Sequence, residues 1–343
     1  MQAPRNWRQL LGKILEDPKE KRRLADTLGV SERTLERWAT EVSNPRSISH
    51  VRQLLKALPK HRELLTELLR QEFPDEVEQA IEEQALFIDE VVKVIPAPFY
   101  TRILETHATT VEPVRSWSIC NMVLHQLAKH LDLDHLGIEV HLVQCLPPSQ
   151  DQKVHSLLHR FKWETAPLRE LPKEQAFYAG SESLAGSSIT KCLPEIIQDL
   201  QHSSTVPSIP QIGQIRSAAA YPIQRAGRVA GSILVLSPQA HFFTPARLTL
   251  IQHYSYLLAL AFNESDFYAI QDIELRLMPS ESMQQTFLST LNERINAVLS
   301  RAEQNGQLLT RPQAELVVLQ EIEAAFVQHS MQLEAVNEKK SRL

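Results

Sequence analysis

The chain has 343 residues, with 36 Lys+Arg against 41 Asp+Glu for a net charge of −5, and is 43% hydrophobic and 22% charged. Those values are ordinary for a globular protein of two or three domains, and no apolar run approaches the ~20 residues of a membrane span. Cys120, Cys145 and Cys192 are too few and too widely spaced for a disulfide framework or a zinc finger, so reduced thiols in a cytoplasmic protein are expected. The opening MQAPRNWRQLLGKILED carries charges where a signal peptide needs an apolar core, and it reads instead as a first helix.

From Lys19 to Leu28 the pattern is helical, with Leu24, Ala25 and Leu28 on one face. Gly29 ends that helix, because glycine takes the left-handed C′ conformation at little cost. Ser31 caps a second short helix that turns Thr34, Leu35 and Trp38 to one side and Glu32, Arg33, Glu36 and Arg37 to the other. Pro45 and Arg46 mark a loop. A fourth helix then buries Ile48, Val51, Leu54, Leu55 and Leu58, and a fifth runs from Lys60 to Phe73, where Pro74 closes the unit. Residues 1–73 hold fifteen Lys+Arg against ten Asp+Glu, a net +5 that leaves −10 for residues 74–343. A basic head on an acidic body seeks phosphate at one end only.

The run LADTLGVSERTLERW followed by Pro45 resembles the helix-turn-helix of the Cro-like XRE repressor family over roughly the first sixty residues. The resemblance implies double-stranded DNA as partner, with Ser31, Glu32, Arg33, Thr34 and Arg37 facing base edges. It also implies phosphate contacts from Lys21, Arg22 and Arg46. A purely structural helical hairpin is the alternative, and the charge contrast decides against it.

Residues 74–109 read as an acidic helical linker. Val77, Ile81, Gln84, Ile88, Val91 and Ile95 repeat at heptad spacing, which suits either a short dimer seam or a helix packed on its own neighbours. Pro96 and Pro98 are expected to end it. A second domain is expected over 110–265. Thr110 is placed as the cap of a helix to Leu131, followed by a strand at 136–146. Residues 152–164 fit strand or helix, and a hairpin over 217–237 turns at Gly227. Thr244 and Pro245 open a helix to about Phe262. The tail, 266–343, is expected to be helical in at least two pieces, 281–304 and 312–336.

The Glu-Ser-Leu-Ala-Gly run from Glu182, then Leu193-Pro194, the hairpin, Phe243-Thr244 and the closing helix resemble a GAF domain. That resemblance implies an antiparallel sheet flanked by helices, with a pocket under a lid that binds a small molecule, or a dimer-forming surface. Gln144, Tyr178, Glu182, Ser187, Cys192, Asp199 and Tyr221 are the residues expected to line the pocket. The nature of any cofactor or effector is unknown.

Among thirteen histidines, His155 and His159 stand four apart, a metal-like spacing if helical, but no third ligand follows and no metal is expected. No catalytic residue is assigned, because no Walker loop, GxSxG or HExxH occurs. The expected fold is therefore an all-α helix-turn-helix head, a helical linker, an α+β GAF-like domain and a helical tail. The expected function is a homodimeric DNA-binding regulator that is not an enzyme. A GAF-type thiol enzyme or redox sensor using Cys192, and an architectural dimer without a pocket, are the two alternatives.

Overall fold

The computed structural model describes residues 4, 6–45, 48–58, 61–78, 94–133, 135–148, 151–166, 177–203 and 215–341. The chain divides into two compact units, Met1–Lys93 with Leu133–Leu136, and Val94–Asp132 with Gly137–Leu343. Among the described residues no helix is long and apolar enough to cross a membrane.

The first unit is built of α1 (Trp7–Leu15), α2 (Pro18–Leu28), α3 (Glu32–Ala39), α4 (Ile48–Ala57) and α5 (Arg62–Arg70). Local chemistry sets the first three starts. Asn6, Asp17 and Ser31 each accept a hydrogen bond from a backbone N–H in the first turn, satisfying a donor that the helix itself cannot. Gly29 stands at φ 65° and closes α2 by donating to Ala25 and Asp26 carbonyls. Leu24, Leu35, Leu54, Leu65 and Leu69 are fully buried in one core, each contributing roughly 1.5–3 kcal/mol. An ion pair between the buried Arg8 and the exposed Glu72 braces this core. Arg8 binds the Glu72 carboxylate, the Trp38 carbonyl at 3.1 Å and the Asn44 amide oxygen at 2.9 Å, while the Trp7 indole donates to Glu72 at 2.7 Å.

The second unit opens with α6 (Ala97–Thr109) and α7 (Glu112–Leu131). Pro96 and Pro98 start α6 rather than merely ending what precedes it: Pro96 is the N-cap and Pro98 sits in the first turn, where a missing N–H costs nothing. Thr110 is the C-cap of α6, and Val111 precedes α7, so the expected threonine cap is displaced by one helix. The sheet comprises β1 (Glu139–Cys145), β2 (Leu157–Glu164), β3 (Tyr178–Ala179), β4 (Glu195–Ile197), β5 (Ser217–Arg225), β6 (Arg228–Ser237) and β7 (Tyr268–Ala269). Its order is β3-β2-β1-β6-β5-β4, with β7 on β6 and every pairing antiparallel. Of residues 152–164, Leu157–Glu164 form strand β2 and none is helical, ending the helical option. The β5–β6 hairpin turns through Ala226 at φ 51° and Gly227 at φ 76°, the left-handed pair that matches strand twist.

The two faces of the sheet are covered differently. Val143, Cys145, Leu157, Ala179, Ala218, Ala220, Leu234 and Leu236 pack with Leu184, Ala185 and Ile189 of α8 (Leu184–Lys191). The opposite face meets α7 and α9 (Pro245–Leu258), the latter capped by Thr244. Beyond β7 the chain runs back across the sheet's end as a strap. Glu274 and Arg276 donate to Val154 and His155 carbonyls, Val154 donates to Asp272, and Ser181 donates to Arg276. The strap leads into α10 (Glu281–Leu288), α11 (Leu291–Gln304) and α12 (Arg311–Ser341). The stretch 281–304, expected as one helix, is interrupted between Leu288 and Leu291. α11 and α12 form a hairpin whose Ala314, Val318, Leu319, Ile322 and Phe326 join Leu146, Leu158 and Tyr178 in a further core.

Candidate functional site

In the first unit, Leu35 and Trp38 hold α3 down, which leaves Glu32, Arg33, Glu36 and Arg37 exposed. Arg33, Arg37 and Arg22 are exposed and have no ion pair among the described residues. Ser31 and Thr34 are occupied locally: the Ser31 hydroxyl accepts from Thr34 N at 3.2 Å and lies 2.8 Å from the Thr34 hydroxyl. Lys21 and Glu32 meet one another, since Lys21 Nζ stands 2.6 Å from Glu36 and 3.4 Å from Glu32. The hydrogen bond that Lys21 donates to Glu36, with that to Glu32, holds its ammonium above its ordinary range. Arg46 lies outside the described residues.

Of the six heptad positions, Ile81, Gln84, Ile88 and Val91 lie outside the described residues. Val77 is buried in the core of the first unit. Ile95, at the start of the second, is also buried.

The residues expected to line a pocket separate onto the two sides of the sheet. Gln144, Leu158 and Tyr178 are register neighbours on one face. Tyr221, opposite Ile233, is on that face too, and burial raises its phenol to about 12. Tyr178 ties the tail to the sheet: its hydroxyl donates to the Leu319 carbonyl at 2.8 Å, and Gln284 brackets its backbone at 2.7 and 2.9 Å. Glu182 has a similar bracing role, accepting from Gly180 N at 2.9 Å and Met278 N at 3.1 Å. Ser187 is half-buried on α8. Asp199, between His202 at 2.7 Å and Arg216 at 3.4 Å, has its carboxyl lowered chiefly by the His202 hydrogen bond. Cys192 caps α8 at φ 53°, and its thiol reaches Gln224 at 3.2 Å.

Burial pushes the Cys120 and Cys145 thiols up to about 12 and raises Cys192 as well. A nucleophilic cysteine needs the opposite shift. The histidines also fall differently from a helical spacing. His155 precedes β2 and pairs with Asp151 at 2.5 Å. His159 turns to His141 at 3.3 Å, and His141 in turn meets the buried Glu139 at 3.2 Å. Burial, then the His141 and Lys162 charges, drives His159 well below the usual histidine range. No group of three or more metal-ligating side chains occurs among the described residues.

Two bracing carboxylates escaped sequence reasoning, the exposed Glu72 and the buried Glu323. Glu72 holds Arg8, and Glu323 of α12 accepts from the Ser156 hydroxyl at 2.5 Å. Each partner lies more than sixty residues away, so no local pattern could reveal them.

A curled antiparallel sheet with α7 and α9 on one face and α8 on the other defines the GAF class of sensory and dimer-forming domains. Residues 118–262 match that family and are a GAF domain. Among solved structures, a free methionine-R-sulfoxide reductase from Neisseria meningitidis, in complex with its substrate, is 14% identical. The match covers 53% of this chain and 92% of that one, with a TM-score of 0.35. The GAF domain of an Acinetobacter phosphoenolpyruvate-protein phosphotransferase is 13% identical over 48% of this chain and 90% of its own, with a TM-score of 0.34. A type II free methionine-R-sulfoxide reductase from Thermoplasma acidophilum is 11% identical, covering 44% and 99%, with a TM-score of 0.31. These likenesses concern fold alone. No curated protein matches the chain.

Proposed function

We propose that the protein is a cytoplasmic, sequence-specific DNA-binding regulator of transcription whose GAF domain senses a small molecule or joins two copies. The observation that carries this reading is the surface of α3. A short helix with a serine cap is held on one side by Leu35 and Trp38 and presents Arg33 and Arg37, without ion pairs among the described residues, on the other. Such a helix offers the two donors that read guanine edges in a major groove. The net +5 of residues 1–73 supplies phosphate attraction. Arg33 is the first choice for a base contact, and Lys21 and Arg22 are the phosphate candidates. Lys21 reaches a phosphate by exchanging Glu32 and Glu36 for it. Glu32, once released, can accept from a cytosine amino group. Two copies would set two α3 helices on half-sites about one helical turn apart. The raised thiols speak against the thiol-enzyme alternative.

The test is selection of binding sites from a random duplex pool, followed by titration. Arg33→Ala should weaken binding to the selected site by ~1–3 kcal/mol and leave non-specific binding unchanged. Failure to enrich any sequence, or equal affinity of the variant for the enriched site, would refute the reading. Sedimentation equilibrium reads the dimer separately: a monomer that binds one half-site at full affinity removes that part.

A further inference from the structure

The sheet face beneath α8 is filled by the chain's own side chains, including Ile273 from the strap. The opposite face carries an open cleft of about 190 Å3 between β1, β2 and the first turns of α12. It exceeds the ~150 Å3 that admits a benzene-sized molecule. Its walls are apolar, with Leu146, Leu158, Leu316 and Leu319. Three polar groups break that surface. The half-buried Gln144 amide has no hydrogen bond among the described residues. At the rim, Arg160 donates to Glu315 at 3.1 Å, and this one bond is the only use either side chain makes of its hydrogen-bonding groups among the described residues. Arg160 is placed there by a bulge in β2, where Val143 pairs with His159 and Leu142 with Phe161.

From this geometry we infer that the cleft is a binding site for an α-amino acid with an apolar side chain. A guanidinium and a carboxylate side by side match a molecule that carries a carboxylate and an ammonium on adjacent atoms. A simple carboxylate would satisfy Arg160 and repel Glu315, and a simple amine would do the reverse. A zwitterion meets both charges, its side chain lies against the four leucines, and Gln144 offers its amide. The bound molecule spans the sheet and α12, so it fastens the tail hairpin to the GAF domain. This site rests on the sensor reading of that domain alone and is measured without DNA, so its failure and the failure of DNA binding are separate results.

The experiment is calorimetric titration of the full chain with L-leucine, L-phenylalanine, N-acetyl-L-leucine and L-leucinamide. Saturable binding of the free amino acids is expected, at least about tenfold weaker for each blocked derivative. Arg160→Gln and Glu315→Gln should each lose about tenfold or more, with an unliganded melting temperature close to that of the parent chain. Hydrogen exchange on the unaltered chain gives an independent reading, in which L-leucine slows exchange at Leu316 and Leu319. Absence of binding up to ~10 mM overturns the proposal. So does binding that ignores both substitutions but is blocked by Ala185→Phe beneath α8.

Discussion

Gly180→Ala should release the strap from the GAF sheet. Gly180 has an ordinary backbone conformation, so an alanine there suffers no torsional penalty. Its methyl, however, would overlap the Arg276 carbonyl oxygen and crowd the Glu182 carboxylate. A carbonyl cannot rotate aside as a side chain does, so the strap itself has to move. Moving it breaks the Ser181 to Arg276 bond at 3.1 Å and the Met278 to Glu182 bond at 3.1 Å. Two hydrogen bonds at ~0.5–1.5 kcal/mol each, with overpacking of ~1–3 kcal/mol, give a loss of roughly 2–6 kcal/mol. Ile273 and Met278, both buried, would be uncovered along with it. Urea unfolding of the full chain measures the energy, and peptide-level hydrogen exchange over 178–184 and 268–280 locates it. A variant within ~0.5 kcal/mol of the parent, with unchanged exchange at Ser181 and Met278, would refute the steric reasoning.

Gly29→Ala tests the opposite case, because its methyl meets nothing within 4 Å but φ is +65°. The cost should be the backbone term alone, ~1–2 kcal/mol, and Gly29→Asn should cost less, both read by thermal unfolding of the first unit. Glu323→Gln should gain on the parent chain as pH rises. Burial raises the Glu323 carboxyl above its ordinary 4.5 despite the Ser156 hydrogen bond. Its docking contribution is therefore complete below pH 4.5 and lost as pH climbs through the raised value, so the two melting curves coincide in acid and separate toward neutrality. Tyr178→Phe, which deletes the bond to Leu319 but leaves that carbonyl its helical partner, should cost ~0.5–1.5 kcal/mol, and equal stability would remove Tyr178 as the tail's anchor. Alkylation of native protein at pH 8 should modify Cys192 well before Cys120 or Cys145, whose thiols sit near 12; mass spectrometry of the digest orders them.

What the sequence disclosed and what it withheld follow from the range of the forces involved. The α2–α3 corner was legible because Gly29 and Ser31 act within four residues and because Leu24, Leu28, Leu35 and Trp38 repeat at the helical period. The β5–β6 hairpin was legible for the same reason, its turn being fixed by Gly227. The strap was not. Its order comes from backbone bonds between Val154 and Asp272 and between Arg276 and His155, which a backbone can make whatever side chains it carries. Tyr178 shows what this does to site prediction. Beside a GAF-like lid motif it reads as a pocket polar group, whereas its hydroxyl is spent on a carbonyl 141 residues along the chain. Gln144 is the converse. Its alternation in β1 marked a face without naming what lies above it. The answer came from α12, which brings Leu316, Leu319 and Glu315 over that face. The tail therefore both braces and completes the GAF domain. A molecule bound in the cleft would act on the α11–α12 hairpin as well, since Leu316 and Leu319 line the cleft and belong to that hairpin.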